Sequence, residues 1–105
     1  MAWLYLFLAG IFEIGWPLGF KLSQTTPYRV AWIGFAVVSM ALSGFFLWLA
    51  QKTIPIGTAY AVWTGIGAVG TFAIGIVFFG DSQGFWRIFS VLLVVIGLVG
   101  LKLAG

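Results

Sequence analysis

The stretch Ala2-Trp3-Leu4-Tyr5-Leu6-Phe7-Leu8-Ala9-Gly10-Ile11-Phe12-Glu13-Ile14-Gly15-Trp16 carries one charge, at Glu13, in an otherwise uncharged apolar run. Continued to Phe20, the run reaches the ~20 mainly apolar residues that a bilayer-crossing helix requires. Read as a span, it puts Glu13, the only glutamate of the chain, near the bilayer midplane. An ionised and unpaired carboxylate costs several kcal/mol at that depth. It persists there if it is protonated, or if it faces a cavity that holds a cation. Both conditions point to the movement of protons and cations.

The composition around this run agrees. Of 105 residues 63% are hydrophobic and 7% charged, with a mean hydropathy of +1.18. A soluble domain carries roughly 25% charged residues, so there is too little polar surface here to cover a globule in water. We expect an all-α membrane protein: one domain over residues 1–105, with four transmembrane helices at about 2–20, 30–50, 55–79 and 85–103. The first run lacks a basic leader and is too long for a signal core, so it is expected to stay as the first helix.

The net charge of +3 comes from Lys21, Arg29, Lys52, Arg87 and Lys102 against Glu13 and Asp81. Five scattered basic residues make no nucleic-acid patch; they suit anchors at a membrane surface. Asp81 falls in the third loop, Gly80 to Gly84, and reads as a solvated loop acid. There is no cysteine and no histidine, which removes disulfides, thiol chemistry and the usual zinc sets. No nucleophile–base pair accompanies Glu13. An enzymatic reading therefore lacks support, and neither a cofactor nor a metal is expected.

Within the spans, several residues stand out. Pro17 lies inside the first span, where it removes a backbone donor and crowds the preceding turn; a kink or loosened turn is expected after Glu13 and Trp16. The first loop is expected over Lys21 to Arg29. Pro55 opens the third span, a favoured place for proline. That span holds Gly57, Gly65, Gly67, Gly70 and Gly75, which permits close helix approach, and Gly65-Ile66-Gly67 is a candidate bend. In the fourth span Gly97 and Gly100 lie one turn apart on one face. They read as a helix–helix contact, either within a subunit or between subunits.

Residues three and four apart share a helix face. Gly10, Trp16 and Pro17 therefore lie on the face of Glu13, with Gly10 leaving room beside the carboxylate. In the third span the same rule aligns Ile56, Tyr60, Trp63 and Gly67, and Ser43 adds a hydroxyl from the second. Trp16 and Trp63 lie well inside their spans, away from the interfacial belt that accounts for Trp3, Trp32, Trp48 and Trp86. Core packing explains two inner tryptophans in general; beside an intramembrane carboxylate, an aromatic cation pocket explains them better. Burial disfavours the charged form of a carboxyl group and a cation favours it. Proton and cation then compete for one site, the minimal coupling device for antiport.

Orientation is poorly encoded. With both termini inside, the inner side holds Lys52 and Lys102 and the outer side Lys21, Arg29 and Arg87, almost no bias under the positive-inside rule. Either other signals fix one orientation, or the chain inserts both ways and pairs antiparallel. Alternating access usually needs two halves related by symmetry. No internal repeat is visible, so a homodimer is implied.

These residues resemble the small multidrug resistance transporters over essentially the whole chain. The carrying motifs are Ala9-Gly10-Ile11-Phe12-Glu13 with Trp16 and Lys21, the run Pro55-Ile56-Gly57-Thr58-Ala59-Tyr60-Ala61-Val62-Trp63-Thr64-Gly65-Ile66-Gly67-Ala68-Val69-Gly70, and Gly97-Leu98-Val99-Gly100-Leu101-Lys102. Gly10, Trp16 and Trp63-Thr64-Gly65-Ile66-Gly67 are similar to the guanidinium exporter subtype. The resemblance implies a proton-coupled antiporter in a bacterial inner membrane, working as an antiparallel, dual-topology homodimer. It implies that Glu13 binds protons or guanidinium-type cations, that Gly10, Trp16, Ser43, Tyr60 and Trp63 line the pocket, and that the fourth span forms much of the dimer contact. Export of bulkier quaternary-ammonium cations by the same machinery is the alternative. Two features depart from the pattern. Pro17 stands where a small residue such as alanine is expected, and the first loop reads Ser23-Gln24-Thr25-Thr26-Pro27-Tyr28-Arg29 in place of a Gly-Phe-Thr-Arg-like stretch.

Overall fold

In the computed structural model, which describes residues 1–104, the chain forms α1 (Ala2–Thr25), α2 (Arg29–Ala50), α3 (Ile56–Phe79) and α4 (Phe85–Ala104). All four are long and apolar enough to cross a membrane. A lipid-exposed segment must satisfy its backbone internally, and the helix does so.

The ends follow from local chemistry. α1 continues past Phe20 to Thr25, so Lys21 lies on the helix and the first loop shrinks to residues 26–28. Three hydroxyls explain the extension by covering carbonyls of the last turns. Ser23 donates to Phe20 O (2.6 Å), Thr25 to Lys21 O (3.1 Å) and Thr26 to Leu22 O (2.8 Å). Pro27 then stops the helix, because the residue before a proline is pushed out of helical geometry. Helix α3 starts just after Pro55 and ends at Gly80, which takes φ +70°. Only glycine enters that region without strain. The amides of Gly80 and Asp81 both turn back onto Gly75 O.

Small residues set the packing. Apolar side chains gain little by leaving lipid for protein, so close approach and dispersion replace the hydrophobic drive. α1 lies at the centre, against α2 over most of its length and against α3. A Cβ at Gly15 would stand 2.5 Å from Ser39 Oγ, and one at Gly19 would stand 2.9 Å from Trp32 O, so both glycines are what lets α2 in. Towards α3, Gly10 receives Ile66, Gly67 receives Glu13 and Gly70 receives Ile14. Leu6, Ala50, Ile54, Ala59 and Val62 close a core at the end of the bundle that holds the chain's start.

α4 contacts the other helices sparingly and buries none of its residues. Leu98 rests on Gly65, Leu98 and Leu101 touch the core, and the Lys102 ammonium sits 4.9 Å from the Trp3 ring centre. A Cβ at Gly97 or Gly100 would meet nothing within 4 Å. Of the two contacts left open for this pair, the one within the chain is therefore not made.

Candidate functional site

Glu13 sits at the middle of α1, half-buried, between α2 and α3. Its aliphatic stem lies on Gly67; a Cβ there would stand 2.7 Å from Glu13 Cγ. From α2, Ser43 points at the carboxylate and is almost wholly buried (1% exposed). The Trp63 indole of α3 donates to Ser43 Oγ (2.8 Å). Ser43 in turn faces two acceptors, Ala9 O at 2.8 Å and Glu13 Oε1 at 3.3 Å. A hydroxyl has one proton and two lone pairs, so it serves the two acceptors unequally, and the shorter bond to Ala9 O takes the larger share.

This arrangement suits a carboxyl group that changes state. With an ionised Glu13, the Ser43 proton can swing from Ala9 O to the carboxylate. With a protonated Glu13, the carboxyl O–H can donate to the free lone pair of Ser43, while Ser43 keeps Ala9 O. In either case Trp63 holds the serine oxygen in place. The three helices thus stay linked through Ser43 in both states, and only the bond to Ala9 O is exchanged.

Beside the carboxylate lies a cavity of about 270 Å³ lined by Glu13, Pro17, Thr64, Gly67, Ala68 and Thr71. A second cavity, of about 250 Å³, shares Pro17 and Thr71 with it and extends to Lys21 and Asp81. Together they lead from Glu13 to the end of the bundle where the first and third loops lie. Asp81 is exposed, as a loop acid should be. Its carboxylate folds back over Gly75, however, where a Cβ would collide with Oδ2, and so it borders this passage.

The structure joins Glu13, Ser43 and Trp63 directly. It joins Tyr60 only through the Trp63 ring, edge-on at 5.5 Å, and Tyr60 is otherwise exposed. Trp16 packs edge-on against Phe20 at 5.7 Å, with no hydrogen bond to the carboxylate. Gly10 lies against α3. The room beside it is taken by Ile66, so its small size serves the α1–α3 contact. Helix α3 is unbroken through Gly65, Ile66 and Gly67; what the two glycines supply is room for Leu98 and Glu13.

Thr64 and Thr71 escaped the reading of the sequence. Thr64, Gly67, Ala68 and Thr71 follow the i, i+3, i+4, i+7 rule, so the stripe was available. The stripe through Tyr60 and Trp63, which carries the aromatic rings, drew attention to the neighbouring face.

Comparison with known proteins agrees with this architecture. A family model described as Small Multidrug Resistance protein matches residues 1–94. The guanidinium exporter of Yersinia pestis is 48% identical, over 99% of this chain and 99% of its own length. That of Escherichia coli strain K12 is 46% identical, over 99% and 98%. The guanidinium exporter of Proteus vulgaris is 44% identical over 99% of both chains.

Proposed function

The chain belongs to the small multidrug resistance family, a multi-pass membrane protein with four helices of spanning length, and we propose that it exports guanidinium or small substituted guanidinium cations in exchange for protons. The observation that carries this reading is Glu13. It is a lone carboxylate deep in an apolar helix, bonded by Ser43 and bordering a cavity. Its setting lies in a chain 44–48% identical to proteins named guanidinium exporters.

The proposed cycle uses few parts. A planar guanidinium offers paired N–H groups that match the two oxygens of a carboxylate. It therefore holds Glu13 ionised, and a proton at Glu13 removes the charge that binds it. Only one of the two occupies the site at a time, and that exclusion couples their movements. Ser43 keeps the carboxylate oriented in both states, and Trp63 keeps Ser43 oriented. In the working form we place Trp16 and Tyr60 as aromatic walls, completed by a second copy of the chain.

The second copy is part of the proposal. One chain has a single site and no internal repeat, and its thin dimension is only 16 Å. α4 leaves Gly97 and Gly100 without a contact. A second copy inserted in the opposite sense would supply the symmetry that alternating access needs, in line with the near-balanced loop charges.

The test is proton flux from liposomes that hold the purified protein, driven in parallel by guanidinium, a substituted guanidinium and a quaternary ammonium. Guanidinium should drive flux in exchange for protons. Flux driven by the quaternary ammonium alone would replace this reading with multidrug export.

A further inference from the structure

We infer that Pro17 turns the main-chain carbonyl of Glu13 into a second oxygen ligand for the cation, so that one residue offers the substrate both its carboxylate and its carbonyl. The inference rests on the export reading above and concerns the same site.

The argument begins with the helix ladder. Each amide N–H in an α-helix bonds the carbonyl four residues earlier. The partner of the Glu13 carbonyl would be the amide of residue 17, and proline has none. α1 nevertheless continues through Pro17 without interruption. In lipid a freed carbonyl must find another partner, and such groups are tolerated where they meet protein donors or border a cavity. Here the cavity is present: Glu13 and Pro17 both line the space beside the carboxylate. Among the described residues no side chain bonds the Glu13 carbonyl, and Ser43, the hydroxyl that reaches the Glu13 carboxylate, is shared between Ala9 O and Glu13 Oε1.

The rest of the lining points the same way. Thr64 and Thr71 border this cavity, and among the described residues neither hydroxyl makes a hydrogen bond. Ser23, Thr25, Thr26 and Ser90, by contrast, all bond back to their own helices. The space is thus bordered by Glu13, whose carbonyl has lost its i+4 partner at Pro17, and by two threonines. Oxygen acceptors around one negative charge match a small cation with N–H groups on several edges. Once a carboxylate has taken one edge of a guanidinium, the remaining N–H groups still need acceptors. A carbonyl on the same residue is placed to serve one of them. A proton at Glu13 needs only the carboxylate and gains nothing from that carbonyl.

This asymmetry makes the test. Pro17→Ala and Pro17→Val both restore the missing N–H, which would then occupy the Glu13 carbonyl, and they differ in bulk. Guanidinium binding to the purified protein is measured by calorimetry across a pH series, which yields both the guanidinium affinity and the pH midpoint of proton competition. Both variants are expected to bind guanidinium about tenfold more weakly, the size of one hydrogen bond to a charged group, with the midpoint unmoved. Unchanged guanidinium affinity overturns the inference. So does a moved midpoint, which would mean that proline reshapes the carboxylate, or a loss in only one variant, which would assign the effect to side-chain shape. If the unmodified protein binds no guanidinium, the export reading fails first. If it binds and the variants match it, only the role of Pro17 fails.

Discussion

α1 and α4 are both apolar helices of spanning length, and they use their small residues in opposite ways. Every glycine of α1 is occupied: Gly10 by Ile66, Gly15 by Ser39, Gly19 by the backbone of α2. α4 has two glycines on one face, and both meet empty space. α1 also carries the charge, and its neighbours are arranged around that charge. α4 has only Ser90 as a polar group in its middle, and this serine bonds its own helix at Trp86 O (2.7 Å). The difference separates a close-packed region from a loosely held one. The hydrogen bonds that join α1, α2 and α3 are made within the chain. α4 has no buried residue.

The strongest way to break this contrast is Glu13→Gln. It keeps the shape of the side chain and removes the charge that the centre is built around. Removing one partner of a buried charge pair costs about 2–5 kcal/mol, so guanidinium affinity should fall by roughly thirtyfold or more, and guanidinium-driven proton flux should disappear. Residual coupled flux would mean that another group carries the proton. Gly67→Ala comes next. The new methyl would press on Glu13 Cγ, and overpacking of this kind costs about 1–3 kcal/mol. Transport should drop with the helices intact, as judged by circular dichroism. Full activity would show that α1 and α3 can part without disturbing the carboxylate.

How much of this was legible follows from the same contrast. The four spans were visible because lipid demands long apolar runs and tolerates little else. Glu13 was visible because a charge in such a run is an anomaly. Ser43 and Trp63 were reachable as polar or aromatic residues inside a span, and the structure joins both of them to it. The reach of α1 to Thr25 was hidden, since it depends on three hydroxyls folding back onto carbonyls, and those residues read as a loop. What lies against Gly10 was hidden for a related reason. A glycine announces room, but only the neighbouring helix decides what fills it, and the sequence does not rank Ile66 above any other side chain of α3. Thr64 and Thr71 lay on a legible stripe that a more conspicuous aromatic stripe obscured.

Gly97→Leu sharpens the other side of the contrast. Within one chain a Cβ at this position meets nothing within 4 Å, so the monomer should be little affected. If this face of α4 receives a second copy, the bulk should weaken that association by about 1–3 kcal/mol, seen as a shift towards monomer in native mass spectrometry. An unchanged oligomeric state would leave the face to lipid.

The smallest expected effect concerns a cation–π tie between the end of α4 and the start of α1. Lys102 lies over the Trp3 ring at 4.9 Å, an exposed cation–π contact worth about 0.5–1 kcal/mol. Lys102→Gln should loosen the end of α4 by that amount, read as faster amide exchange in its last turn and little change elsewhere. The same substitution alters the charge count. The side of the chain that holds Lys52 and Lys102 would keep one basic residue against Lys21, Arg29 and Arg87 on the other. Loops rich in Lys and Arg stay on the cytoplasmic side, so a chain poised between orientations should tip towards the one that keeps Lys21, Arg29 and Arg87 inside. Labelling of single cysteines placed in the first and second loops would report the ratio. A chain whose orientation is set by other signals would show the faster exchange and no change in labelling, and the antiparallel pairing proposed above would lose its basis.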